Sequence, residues 1–474
     1  MTESTGTSAS GSLAAINHVV VLMLENRSFD HMLGYLYTAQ GNVSPSGQPF
    51  EGLTGTESCP DGRGGTVSVY QITPSTPSAY FMPGGDPGEG YKATNDQLWG
   101  STTAPATGTA ATMSGFVTDY TYTLGWQAND PSWNVLPGTI PSDIMGCYTP
   151  AALPVLSALA TGYAVCDQWF ASVPTETMPN RAFANAATSM GQVDDKTKTF
   201  SAPSIYAALG TAGQTWGIYG YSERPLTADT FTDIATATGG TIGLFTDFQA
   251  AAAAGTLPAF SFLEPSWSST GNSQHPNYDV ALGEQLIHDV YEALRSGPGW
   301  AQTLFVLTYD EHGGCFDHVP PPWGATPPDS AVEQLYNFTF NRFGVRVPTV
   351  LISPLIAPGT VFRVPEGSTP LDHTSVLATV EQRWGLQPLT ARDAAAPAVG
   401  SVLTLSAART DDVLANVTVP VSGSAGPSAG LVSHLEAFRQ ALPVRAATAA
   451  ATSRAASFVP NATVPSAAPA TPAT

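Results

Sequence analysis

Positive charge is scarce in this chain: 17 lysines and arginines stand against 37 aspartates and glutamates, a formal charge of −20 over 474 residues. A surface of that sign repels the nucleic-acid backbone and anionic membranes, so no nucleic-acid partner is expected. Long hydrophobic runs are missing too. Runs such as Val19 to Leu24 fall far short of the ~20 apolar residues that span a bilayer, and no transmembrane segment is expected. The opening MTESTGTSASGS has neither the basic residues nor the apolar stretch of ~7–15 residues of a secretory leader. The address expected from it is cytoplasmic, or export by a signal-independent route. Cysteine is rare: Cys59, Cys147, Cys166 and Cys315 form no CxxC pair, which excludes zinc-ribbon and thioredoxin patterns and favours four buried free thiols over a disulfide. The elbow GxSxG is absent, its nearest approach GYSER at 220–224 lacking the second glycine. So are GxxxxGK[ST], a GxGxxG after a strand, and HExxH, which argues against a serine lipase, a nucleotide-binding loop and a zincin.

What is present is a globular composition, 43% hydrophobic with 45 glycines and 40 prolines, enough for a large core and much ordered loop. Residues 1–14 and 446–474 are small, polar or Ala/Pro-rich and read as a disordered terminus and tail, leaving 15–445 as one catalytic-size domain. INHVVVLMLE, TLFVLTYDE and VPTVLIS are short, continuously apolar runs, the pattern of strands buried on both faces of a parallel sheet. LPVLSALATGYAVCDQWF reads as a helix followed by a strand, and YDVALGEQLIHDVYEALRSG as a helix stopped at Gly297. Strands alternating with helices predict an α/β fold with a central, mostly parallel sheet flanked by helices. Residues 40–140, rich in Gly, Thr, Ser and Pro, read as long loop insertions over one edge.

Open parallel sheets bind ligands beyond the carboxyl ends of their strands. Two of these strands end there in Glu25 and Asn26, and in Asp310 and Glu311. Buried carboxylates need a compensating cation; an oxygen-rich set without thiolates favours Ca²⁺, Mg²⁺ or Mn²⁺, with zinc less favoured, while arginine bridges would be the purely structural explanation. PTETMPNR (174–181) offers a hydroxyl that could act as a nucleophile, with Asn180 or Arg181 binding the anion under attack. Its structural counterpart is a proline turn with an asparagine cap. His275, in SQHPNYD, is a possible general acid or second anion contact, or a turn residue.

HVVVLMLENRSFDHMLGY, TMPNR, DEHGGCFDHVPPP, FGVRVPTVLISP and DHTSVLATVEQRWGL, in that order between Ile16 and Leu386, resemble the bacterial phosphoesterase family of phospholipases C and a related acid phosphatase. The resemblance implies a core like that of alkaline phosphatase. It also implies one divalent metal ion held by Glu25, Asn26, Thr177, Asp310 and Glu311, with Thr177 as nucleophile. His275 matches the family's HP histidine near the phosphate, and His318, in the DHV motif, is given a site role. Where the family often carries histidine in a DPxH stretch, this chain has Glu89 in DPGE, a departure that bears on monoester against diester preference. The expected activity is that of a metal-dependent, phospholipase C-like phosphoric ester hydrolase. The alternatives are an acid phosphatase, a sulfatase-like enzyme, and a binding protein that keeps the metal as a staple. A phosphoester or phospholipid substrate is expected and no protein partner is predicted.

Overall fold

The computed structural model describes residues 13–423 apart from 131, 132, 134, 198 and 269; of the expected terminal segments 1–14 and 446–474, all but residues 13 and 14 lie outside the described residues, and Leu13 is buried in the core rather than part of a disordered end. The central sheet is built from β1 (His18–Leu24), β2 (Ala164–Val165), β3 (Trp216–Gly220), β4 (Gly240–Leu244), β5 (Phe260–Glu264), β6 (Thr303–Tyr309), β7 (Val350–Ile352) and β8 (Thr360–Val361). Their spatial order is β8-β2-β7-β6-β1-β5-β3-β4. Every pairing is parallel except those of β7, which runs against both β6 and β2. β1 and β6 lie side by side at the centre, and both are apolar along nearly their whole length because neither face meets water. The sheet core runs through Val20, Leu22, Phe262, Phe305 and Leu307, all buried.

The principal helices are α1 (Tyr91–Trp99), α2 (Phe116–Gln127), α3 (Pro154–Gly162), α4 (Thr177–Ala186), α5 (Phe245–Ala254), α6 (Val280–Ser296) and α7 (Thr374–Trp384). α6 packs on α3 and α5, and α7 on α4, so helices flank the sheet in two groups. α6 is the clearest amphipathic element. Leu286, Ile287, Val290, Tyr291 and Leu294 recur on its buried face, the Asp279 side chain caps its first turn through the Ala281 N–H at 3.0 Å, and it stops before Gly297. No helix of the described residues is long and apolar enough to cross a membrane.

All four cysteines are buried and free. Residues 40–140 correct the expectation of loops alone, for they include α1 and α2. With Leu53, Cys59, Leu98, Phe116, Tyr120 and Ile144 they form a second apolar cluster that also takes in Phe316 and Val345 of the main body. α1 (YKATNDQLW) carries a single aliphatic residue larger than alanine and α2 (FVTDYTYTLGWQ) three threonines and a glycine, which hides a helical period in the sequence.

Candidate active site

In the register of β1 on β6, Leu24 lies beside Tyr309. The chain therefore leaves the sheet at Glu25–Asn26 and at Asp310–Glu311 side by side, and all four side chains are buried. Asn26 turns the chain with φ of 55°, a left-handed conformation that asparagine tolerates better than most residues. It becomes the hub of the site. Its N–H donates to Asp310 Oδ1 at 2.9 Å, its Oδ1 accepts the Thr177 hydroxyl at 3.1 Å, and its Nδ2 donates to Glu89. The opposing loop passes close because Gly313, at φ of 60°, has no side chain: a Cβ there would stand 2.1 Å from the Asn26 carbonyl oxygen.

Thr177 opens α4, where the helix dipole favours negative charge and the Met178 N–H already donates to Asp195 Oδ1 at 2.8 Å. Pro179 sits in the first turn, where its missing N–H costs nothing. The two threonines of PTETMPNR have different partners. The Thr175 hydroxyl donates to the Val193 carbonyl at 2.5 Å, whereas that of Thr177 faces Asn26. One turn further on, Arg181 places Nε on Asp310 Oδ2 at 2.9 Å and Nη2 on the carbonyls of Met23 and Leu24, and its guanidinium lies 4.4 Å from the Trp267 ring centre. Its Nη1 has no hydrogen-bond partner among the described residues. The arginine bridge considered from sequence is thus present, but on one carboxylate of the group.

Asn180 has a different place from the expected substrate contact. Its Nδ2 donates to the carbonyls of Val173, Thr175 and Glu176 at 2.8–3.1 Å and its Oδ1 accepts from Val173 N–H at 3.0 Å. These bonds tie its side chain to the turn before α4. His318 donates instead to Asp30, 2.5 Å from Nδ1, in a group where Arg346 bridges Asp30 at 2.9 Å and Asp317 at 3.0 Å. Burial opposes charge on His318, but the Asp30 hydrogen bond and the two carboxylates outweigh it and raise its pKa.

Glu311 is fully buried. Its Oε2 accepts from Gly313 N–H at 2.7 Å and lies 3.2 Å from His312 Nδ1, and its Oε1 has no partner among the described residues. Burial, and then the neighbouring Asp310, push its pKa well above the usual carboxylate range. Glu25 N–H bonds the Ser273 carbonyl at 3.1 Å, which draws the SQHP segment alongside. There His275 directs Nε2 at Asp86 Oδ1, 3.6 Å away. Asp86, Glu89 and His275 bring one ligand atom each within 4.8 Å of one another, as do Asp30, Asp317 and His318, so both groups could hold a metal ion.

Sequence reasoning left several neighbours unassigned. His312 sits in the DEHGG run; its Nε2 donates to Gln97 Oε1 at 2.7 Å, and Gln97 Nε2 in turn bonds Asp119 at 2.8 Å. Burial lowers the His312 pKa to about 3 and raises that of Asp119 to about 7. Gln97 and Asp119 carry no local signal, since the fold alone brings α1 and α2 to the strand end. His373, of DHTSV, supports the Asp310 carbonyl at 2.6 Å. The donor set suits a divalent cation: Glu25, Glu89, Asp310 and Glu311 are carboxylates at one strand-end region, one Glu311 oxygen lacks a donor, and Arg181 is tied to Asp310 alone among them.

A sequence model of the phosphoesterase family matches residues 16–387. The chain belongs to that family, and with it to the hydrolases of phosphoric ester bonds. Non-specific phospholipase C5 of Arabidopsis thaliana is 36% identical over 428 residues, covering 84% of this chain and 75% of the plant protein. Phospholipase C B of Mycobacterium tuberculosis is 28% identical over 424 residues, covering 79% and 74%. The relatives are therefore plant as well as bacterial. Among solved structures, a protein of the alkaline phosphatase superfamily from Vibrio parahaemolyticus aligns with a TM-score of 0.35 and 15% identity over 52% of this chain and 64% of that one.

Proposed function

We propose that this phosphoesterase is a metal-dependent, phospholipase C-like hydrolase with Thr177 as its nucleophile. The observation that carries the reading is the placement of the Thr177 hydroxyl, at the start of α4 and 3.1 Å from Asn26 Oδ1, against a Thr175 hydroxyl committed to Val193. Glu25, Asn26, Thr177, Asp310 and Glu311 would hold one divalent cation, whose charge favours the ionised hydroxyl and offsets the anionic ester. Thr177 Oγ1 attacks phosphorus in line and the lipid alcohol departs; water then releases the phosphate group from a phospho-threonine. Arg181, held on Asp310, directs its remaining nitrogen to a non-bridging oxygen, where the helix dipole adds to the attraction. His275 belongs to the leaving-group side of this reading, with Nε2 as its active edge because Nδ1 lies 2.9 Å from the Pro276 carbonyl.

The test is a panel of phosphatidylcholine, p-nitrophenyl phosphate, p-nitrophenylphosphorylcholine and a sulfate ester, each assayed with and without chelator. Turnover of phosphatidylcholine and of the choline diester, lost with chelator and regained with added cation, is the expected result. Hydrolysis of the sulfate ester alone, or diester turnover untouched by chelator, would overturn the reading.

A further inference from the structure

The insertion that carries α1 and α2 meets the strand-end site at a glutamine. Gln97, on α1, is fully buried, and its Nε2 donates to the Gly88 carbonyl at 2.6 Å and to Asp119 Oδ2, on α2, at 2.8 Å. A carbonyl can only accept, so this edge of the amide is fixed as the donor. Oε1 is then turned to His312 Nε2 at 2.7 Å, which therefore carries a proton. The other ring nitrogen, Nδ1, lies 3.2 Å from Glu311 Oε2. Phe116, also on α2, meets the same ring edge-on, with 6.4 Å between ring centres.

Gln97 thereby holds two loops of the site at once. Its bond to Gly88 anchors the DPGE loop one residue before Glu89, which accepts from Asn26 Nδ2. Its bond to His312 sets the ring beside Glu311, whose Oε2 also accepts from Gly313 N–H at 2.7 Å. With that edge occupied, Oε1 is the oxygen left for the cation. So close an approach needs a glycine. At Gly314, with φ of 65°, a Cβ would stand 2.5 Å from the Gly88 carbonyl oxygen and 3.1 Å from Gln97 Nε2. The two glycines of DEHGG therefore each admit one neighbour, Gly313 the Asn26 turn and Gly314 the Gln97 contact.

We infer that Gln97 is a positioning residue of the cation site, holding Glu311 through His312 and the DPGE loop through Gly88, with Asp119 fixing its amide. The inference rests on the cation site proposed above and deepens it, for it makes the insertion a working part of that site. Gln97 acts through His312 and not on the reacting atoms. Hydrogen-bond partners behind a metal ligand orient it, and their removal typically weakens metal binding by about 10–100-fold.

The test is metal affinity rather than turnover. Metal-stripped full-length protein is titrated with Mn²⁺ by calorimetry, with circular dichroism and a thermal melt for each variant. Gln97→Met keeps the length of the side chain and removes its bonds; Asp119→Asn keeps an oxygen that accepts from Gln97; Ile144→Ala removes packing from the insertion's apolar cluster and no bond of this chain. The expected result is a dissociation constant about 10–100-fold higher in Gln97→Met and close to wild type in Asp119→Asn, with a lower melting temperature but unchanged affinity in Ile144→Ala. Gly314→Ala crowds the same contact and should weaken Mn²⁺ binding in the same direction, which keeps the test decisive where Gln97→Met is unfolded. Wild-type affinity in folded Gln97→Met or Gly314→Ala would overturn this inference and leave the cation site standing. So would a loss in Ile144→Ala or Asp119→Asn as large as that in Gln97→Met, which would trace the effect to the insertion's stability or to the buried carboxylate. No binding by the wild type would remove the cation site and this inference with it.

Discussion

Two threonines two residues apart differ here by what their hydroxyls touch, and that difference sets a test of chemistry at a single atom. Thr177→Ala should lose hydrolysis by several orders of magnitude, as removal of a nucleophile does. Thr177→Ser should keep a measurable part of it, because a hydroxyl remains opposite Asn26. Thr175→Ala should cost stability through the unsatisfied Val193 carbonyl, by ~1–3 kcal/mol, with turnover of the folded fraction preserved. Rapid-quench mass spectrometry should find added phosphate on the peptide carrying Thr177. Full activity in Thr177→Ala would hand the nucleophile's role to water.

Between residue and fold, the strand-end loops decide whether the side chains meet. Gly313→Ala would force both a positive φ and a Cβ contact with the Asn26 backbone, so Asn26 must move and turnover should fall by ~10²-fold or more. Gly324→Ala is the control: it has a positive φ but open space around it, and should cost ~1 kcal/mol of stability with unchanged turnover. Arg346→Met tests the neighbouring support. It would leave Asp30 and Asp317 buried without their bridge, at a cost of ~3–5 kcal/mol readable by urea unfolding; a change below ~1 kcal/mol would show the bridge to be dispensable.

The same elements show what could be read from sequence. β1, β6 and β7 were legible because strands buried on both faces are continuous apolar runs, and the acids at the ends of β1 and β6 marked the site. β3 and β4 were not read: each is five residues long and carries two glycines, and β4 is largely exposed or half-buried. The start of α4 was hidden by Pro179, which signals a turn although a helix accepts proline in its first turn. Asn180 looked like an anion contact because its residue type suits both jobs, and nothing local reveals that three carbonyls surround its amide. His318 had a bond to Asp317 or to backbone as its plain alternative; its partner proved to be Asp30, 288 residues away along the chain.

At the scale of the whole molecule, acids dominate both surface and interior. Burial raises the pKa of Asp119 to about 7, of Asp317 to about 6 and of Glu284 to about 8, the last against the pull of two N–H groups at the start of α3. Each value lies above that of the unfolded chain, so the folded state holds protons that the unfolded state has already released. The stability they confer is full below about pH 4 and is lost as pH rises through about 6 to 8. Self-repulsion of a chain with formal charge −20 acts in the same direction. The melting temperature of the metal-free protein should therefore be lower at about pH 8 than at about pH 5, with Mn²⁺ recovering part of the difference. A melting temperature that climbs from pH 5 to 8 would contradict this assignment.

The four buried thiols give the molecule its own stopwatch. Cys59 and Cys147 lie in the apolar cluster of the insertion, Cys166 follows β2 at the sheet, and Cys315 sits in the loop that closes on Asn26. A maleimide cannot reach any of them until its surroundings open, so each alkylation rate measures the opening of one neighbourhood. If the insertion opens as a unit apart from the sheet, Cys59 and Cys147 will be labelled together and ahead of Cys166, in peptides resolved by mass spectrometry. Equal rates at all four would mean that the insertion and the sheet come apart in one cooperative event.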